Sequence, residues 1–182
     1  MNNYSPFHTL SKITDSLYLT SAYGAKSQTA LNAKGITCVI CATLSFQSPT
    51  PNYRDKSIEF IRIPVDDIPQ AQLYLHFDRV ADKIHEVKKK GGRTVVHCFA
   101  GRSRSATLCM VYLMKYDKMT LKQAHAYVRS RRSLIRPNPG FWRQMIIYEQ
   151  NLFARNSIKM VHSPIGWIPD IYEKELKNFV PL

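Results

Sequence analysis

The sequence of 182 residues is short of several things, and each shortage removes a class of protein. It has four cysteines, Cys38, Cys41, Cys98 and Cys109, without the spacing of a disulfide scaffold, which points to a reducing compartment rather than a stapled secreted domain. No apolar run approaches the roughly 20 residues of a membrane-spanning helix, so no stable membrane insertion is expected. The opening MNNYSPFHTLSKI has neither the apolar stretch of a secretory signal nor an Arg-rich, acid-poor leader. Cytoplasm and nucleus are the expected locations, with mitochondrial association left open. Internal repeats, low-complexity tracts and long linkers are also missing. Acidic side chains are scarce, with 13 Asp and Glu against 26 Lys and Arg, a net charge of +13. Such an excess favours anionic partners (phosphoproteins, nucleic acid, acidic membranes) and equally describes a solvated basic surface.

What remains reads as one folded domain with a substantial core: 45% of residues are apolar and 21% charged. Strands are expected at Ser16 to Ser21, Ile36 to Thr43, Ile58 to Val65 and Thr94 to His97, the second being a β-branched apolar run typical of a buried strand. Residues 27 to 34 read as a short helix stopped by Gly35. Leu73, Phe77, Val80, Ala81, Ile84 and Val87 recur at helical spacing, and the helix they mark ends in Lys88, Lys89 and Lys90 before Gly91 and Gly92. A helix from Ser103 to Tyr116 is expected to bury Ala106, Cys109, Met110, Leu113 and Met114. TLKQ, Thr120 to Gln123, is a capping box opening another helix, and Trp142 to Phe153 is a last long one. From Asn156 the tail reads as irregular, with a helical piece around Tyr172 to Phe179. Strands first, helices between and after them, predict an α/β fold: a central, mostly parallel sheet of about five strands flanked by helices.

The informative stretch is VVHCFAGRSRSAT, Val95 to Thr107. Ligands in open α/β folds sit beyond the carboxyl ends of the strands, where Cys98 falls. The next helix starts near Ser103, so backbone amides from Phe99 to Arg104 would converge with the helix N-terminus on one anion. Ala100 and Gly101 let the backbone curl tightly, Gly101 with a positive φ, and Arg104 can fork two donors onto a phosphate. Helix N-termini and nearby cations ionise thiols, so Cys98 is a candidate nucleophile aimed at phosphorus. Ser105 is placed to hydrogen-bond its sulfur, and His97 to orient the loop. The departing oxygen needs a proton, and Asp66 and Asp67 in IPVDDIPQ would lie at the same sheet edge. Residue physics leans to Asp67 only weakly, and Asp66 also reads as a loop or capping residue. Cys38 and Cys41 form a C-x-x-C, but positions three apart on a strand face opposite ways and cannot share an ion. Cys109 reads as core. The basic string RSRRSLIR, Arg129 to Arg136, offers a docking or nucleic-acid patch, or simply a helix terminus running into a turn, the reading favoured here.

HCFAGRSRS, His97 to Ser105, resembles the HCxxGxxRS signature of cysteine-dependent protein phosphatases, and as HCxAGxSRS it resembles the dual-specificity branch. GFWRQMIIYEQNLF, Gly140 to Phe153, and IPDIYEKEL, Ile168 to Leu176, are similar to the small atypical members of that branch. The resemblance runs from ITDSLYLT to the C-terminus. It implies a protein tyrosine phosphatase-like fold, with a catalytic domain over residues 1–155 and an extension over 156–182 packed on it. It implies Cys98 as nucleophile, Asp67 as general acid and Ser105 as assisting hydroxyl. Phosphate would be bound by Arg104 and the loop of Phe99, Ala100, Gly101, Arg102 and Ser103, with His97 and Asn138 in support. No metal and no cofactor are implied, since the loop takes the place of a cation. The implied partners are phosphorylated proteins, mitogen-activated protein kinases among them, and not nucleic acid. The oligomeric state is left open.

Two positions depart from the pattern. Arg102 stands where relatives carry a small apolar residue, and is expected to point to solvent or to widen acceptance of highly charged phosphates. Cys41 stands where relatives carry Asn at a strand end. It reads either as a small buried hydrophobe or as a redox partner linking reversibly to Cys98. Two other functions compete with a protein phosphatase: a phosphoinositide or RNA phosphatase using the same site, and a non-catalytic phosphoprotein-binding module.

Overall fold

A computed structural model describes residues 8–48, 50, 51, 53 and 57–176. Strands β1 (Ser11–Lys12), β2 (Leu17–Ser21), β3 (Cys38–Cys41), β4 (Glu59–Arg62) and β5 (Thr94–Cys98) form one sheet in the order β1-β2-β5-β3-β4. All neighbours run parallel except the two-residue β1, which is antiparallel to β2. The sheet is therefore mixed but mostly parallel, as expected from the alternating pattern, and β5 lies at its centre. β2, β3 and β5 are buried at every position. A strand covered on both faces needs apolar side chains throughout, which is why CVIC and TVVHC show no alternation.

One face carries Leu10, Tyr18, Val39 and Val95 packed on Leu31 of α2 (Gln28–Ala33). The other carries Leu17, Leu19, Ile40 and Val96 against the larger core, which includes α3 (Phe77–Lys89), α4 (Arg104–Asp117), α5 (Leu121–Arg131) and α6 (Pro139–Phe153). A one-turn helix, α1 (Ala22–Ala25), follows β2 directly. α3 buries the stripe Phe77, Val80, Ala81, Ile84 and Val87, as its spacing predicts, although the chain enters it through a 3-10 turn at Leu73–His76. α4 departs from expectation. It is buried at every position from Arg104 to Met114, not along one stripe, because α3, α5 and α6 all pack on it.

The helix boundaries follow local chemistry. Ser27 caps α2 through Ala30 N, and Gly35 takes the left-handed conformation after it (φ +61°). Thr120 and Gln123 complete the capping box of α5. α6 starts three residues before Trp142, with Pro139 at its first position and Asn138 as N-cap. β3 and β4 are shorter than the apolar runs that announce them; Ile63 continues only as a single amide bond to Cys41 O. The tail differs most. An antiparallel hairpin, β6 (Met160–Ser163) and β7 (Gly166–Pro169), occupies what reads as irregular chain. Its strands are only four residues each, too short for a clear period. A 3-10 turn at Asp170–Tyr172 and α7 (Glu173–Leu176) follow; the remainder of the expected helical piece, 177–179, lies outside the described residues. Ile158, Ile168 and Tyr172 join the main core, so this segment packs on the same body.

Candidate active site

Cys98 is the last residue of β5 and is buried, with Ser105 Oγ donating to its sulfur at 3.1 Å. The loop that follows is shaped from behind. Ala22 N donates to Phe99 O at 3.0 Å. Gly101 has φ +67°, and a Cβ there would lie 2.5 Å from Thr20 O and 2.8 Å from Arg132 Nη2, so both conformation and space require glycine. Arg132, itself buried, donates through Nε to Gly101 O (2.8 Å) and through Nη2 to Ala100 O (3.4 Å). With its carbonyls held this way, the loop keeps its amides open: among the described residues, those of Phe99 to Ser103 donate to no protein acceptor. Ser103 is the N-cap of α4 but makes no side-chain cap. Its hydroxyl donates instead to Asp67 Oδ1 at 2.7 Å. The N-terminus of a buried 14-residue helix is thus left to an outside anion.

Arg104 opens α4 with its guanidinium buried. Nη1 donates to Gln47 Oε1 (2.6 Å) and Val65 O (3.1 Å). Nε has no hydrogen-bond partner and stands 3.8 Å from Asp67 Oδ2. A buried N–H without an acceptor is costly, and a bound phosphate would supply one.

Asp67 sits on the loop after β4 and faces the same place. Asn138 Nδ2 donates to its Oδ1 at 2.9 Å, while Asn138 Oδ1 accepts from Phe141 N and caps α6. Asn138 N also donates to Ser103 Oγ at 3.2 Å. Gly140 lets α6 close on this loop: a Cβ there would fall 1.9 Å from Pro69 O. Asp66 turns away. Its Oδ1 accepts from Gln47 Nε2 (2.9 Å) and from Asp67 N (2.8 Å). The hydrogen bond from Gln47 holds its carboxyl below the usual range.

His97 is buried with Nδ1 3.4 Å from Cys98 O, and burial pushes its pKa down to about 4, so the imidazole is neutral. Cys41 lies opposite His97 in the register between β3 and β5. By strand alternation it belongs to the face away from Cys98. Its sulfur accepts from Arg62 Nη1 at 3.4 Å and lies 3.1 Å from Thr43 Oγ1, and burial raises its pKa. Arg102 is exposed, with Nε donating to Leu134 O at 3.1 Å. Cys38 and Cys109 are buried, and burial pushes the Cys38 thiol up to about 12.

Gln47, Arg132 and Gly140 escape a reading of the sequence. Arg132 lies inside the basic string with nothing local to single it out. The rest of that string is engaged structurally: Arg129 and Arg136 pair with Glu175 and lie over the Tyr172 ring, and Arg131 lies over Tyr127. Gln47 is a lone amide in a loop.

A thiol at a strand end, open amides at an uncapped helix start and a buried guanidinium follow one another along the chain, and the fold brings the Asp67 carboxylate to them from a separate loop. Residues 17–151 match the dual specificity phosphatase catalytic domain. This chain belongs to the dual specificity phosphatases. Dual specificity protein phosphatase 14 of Mus musculus is 51% identical over 172 residues, 94% of this chain and 85% of that protein. Dual specificity protein phosphatase 18 of Bos taurus is 49% identical over 173 residues, 95% and 90% of the two chains. Among solved structures, a mouse dual specificity phosphatase complexed with zinc tungstate superposes with TM-score 0.75 at 33% identity, covering 85% of this chain and 93% of that one. Human DUSP28 gives 0.73 at 32%, covering 79% and 94%. The protein is accordingly a cysteine-dependent protein phosphatase with a mostly parallel, helix-flanked sheet, and its substrates are phosphoproteins.

Proposed function

We propose that this phosphatase hydrolyses phosphotyrosine and phosphoserine or phosphothreonine through a cysteinyl-phosphate on Cys98, and that mitogen-activated protein kinases are among its substrates. The observation that carries the residue roles is the single hydrogen-bonded system joining Ser103, Asn138 and Asp67, with Arg104 beside it, next to the Ser105–Cys98 bond. The Cys98 thiolate attacks phosphorus while the bond to the side-chain oxygen breaks. Arg104 and the loop amides hold the three non-bridging oxygens. Asp67 gives its proton to the departing oxygen. In the second step Asp67 takes a proton from water, which attacks phosphorus and expels the Cys98 sulfur, eased by the Ser105 hydroxyl. No metal or cofactor enters this scheme. The mouse neighbour is complexed with zinc tungstate, and a tetrahedral oxyanion is the kind of ligand such a cradle takes. Arg102, anchored on Leu134 O, argues for a solvent-facing role over a pocket for multiply phosphorylated lipid or RNA ends. Cytoplasm and nucleus belong to the same proposal.

The proposed reversible link from Cys98 to Cys41 needs the loop to cross its strand, given the register. Peptide maps after mild peroxide test it: a Cys41–Cys98 pair supports the link, and reversible inactivation without that pair ends it. The catalytic proposal is tested by phosphate release from phosphotyrosine and phosphothreonine peptides with chelator present. We expect both to be turned over, and Cys98→Ser to abolish turnover. Activity surviving that change sinks the assignment. Turnover of inositol lipids far above phosphopeptides would favour the other substrate class.

A further inference from the structure

We propose that Gln47 is a positioning residue that presets the Arg104 guanidinium for phosphate and ties it to the loop carrying Asp67. The inference rests on the phosphatase reading of the site and adds to it a relay on a segment outside the signature motif. Arg104 Nη1 donates to Gln47 Oε1 at 2.6 Å, Gln47 Nε2 donates to Asp66 Oδ1 at 2.9 Å, and the same oxygen accepts from Asp67 N at 2.8 Å. Consecutive contacts thus run from the anion-binding side chain to the backbone of the acid.

The chemistry of the amide matters. An amide has one acceptor end and one donor end. The Asp66 carboxylate, acceptor only, fixes the donor end, so the oxygen must face Arg104. Gln47 orients the guanidinium without neutralising it, leaving its full charge for the phosphate. A carboxylate in the same place would form an ion pair and compete with substrate. With Nη1 taken by Gln47 and Val65 O, Nε remains without an acceptor. The edge formed by Nε and Nη2 is a fork that matches two phosphate oxygens.

The support for Gln47 is built rather than incidental. Gln47 N and Ser48 N both donate to Leu44 O. Arg62 at the end of β4 then fastens this loop at Thr43 O (3.2 Å), Thr43 Oγ1 (3.1 Å), Ser48 O (2.8 Å) and Thr50 Oγ1 (3.2 Å). Ser48 is buried beneath it. A loop amide with no role would not need an arginine from a neighbouring strand to hold its turn.

The test uses the full chain with orthovanadate as the oxyanion probe, an aryl phosphate as substrate, and iodoacetamide alkylation of Cys98 as the control. Gln47→Ala should weaken vanadate and lower kcat/KM by roughly tenfold, the scale of a lost hydrogen bond to a charged group, while the alkylation rate stays within about twofold of wild type by the same reasoning. Gln47→Glu should fail more severely, since two carboxylates then face each other. Adding Asp66→Asn gives the introduced carboxylate a donor in place of a repelling charge and should recover part of that loss, so the double variant exceeds Gln47→Glu alone. Unchanged vanadate affinity in Gln47→Ala, or a double variant no better than Gln47→Glu, overturns the relay. An inactive wild type, or an active Cys98→Ser, would instead defeat the phosphatase reading itself, which separates the two failures.

Discussion

Asn138 and Asp67 are joined by a 2.9 Å hydrogen bond from Nδ2 to Oδ1 across 71 residues of sequence. The same asparagine caps α6 through its Oδ1, which accepts from Phe141 N. One side chain therefore fixes both a helix start and the carboxylate that stands beside Arg104, and the two duties can be separated by substitution.

Asn138→Ala should lose the cap and the tie together, costing about 1 kcal/mol of stability and lowering kcat. Asn138→Asp keeps a good cap but sets a carboxylate against Asp67. We expect its thermal midpoint to stay near wild type while kcat falls at least as far as in Asn138→Ala. Parallel melts and steady-state kinetics check this; a fall in stability matched to the fall in kcat across both variants would show that the asparagine acts only through the fold.

Gly101→Ala should be inactive. It forces a left-handed φ on a side-chain residue and drives a methyl against Thr20 O and Arg132. Arg132→Met should destabilise by about 1–3 kcal/mol, because the carbonyls of Ala100 and Gly101 lose buried donors, and should weaken vanadate binding as the loop relaxes. Urea melts and inhibition assays report the two effects.

Stability should fall on mild acidification. Burial lowers the His97 pKa to about 4 from 6.5, and His125, packed on Trp142 with Tyr172 Oη beside its Nε2, is lowered likewise to about 4. Between those values the unfolded chain binds protons that the folded chain refuses, so stability is intact above about pH 6.5 and declines as pH drops toward 4. His97 alone contributes about 3 kcal/mol to that decline. Urea melts at stepped pH should show a shallower slope in His97→Gln than in wild type.

Much of this was legible in residues, and the reason is physical. The sheet shows because β3 and β5 are covered on both faces and must be apolar throughout. The loop from Cys98 to Ser105 shows because amides, glycine, arginine and thiol are contiguous, and contiguous chemistry leaves a motif. Arg132 and Gly140 do not show, since they act on Gly101 and Pro69 through tertiary contact and carry no local signature. Asp67 falls between: its neighbour Asp66 has the same side chain, and only the fold turns one toward Asn138 and the other toward Gln47. The hairpin at Met160–Pro169 hides because its strands are too short to show a period. The helix α4 shows, but its burial on all sides does not, because that depends on α3, α5 and α6 packing around it.

The most direct test of the account is to trap the intermediate. Asp67→Ala given an aryl phosphate, whose leaving group needs no proton, should form the cysteinyl-phosphate and hydrolyse it slowly. After acid quench and digestion, the mass of one phosphoryl group should sit on the peptide containing Cys98 and vanish in Cys98→Ser. A phosphoryl group on any other residue, or turnover persisting in Cys98→Ser with no adduct, would contradict the claim that this sulfur carries the reaction.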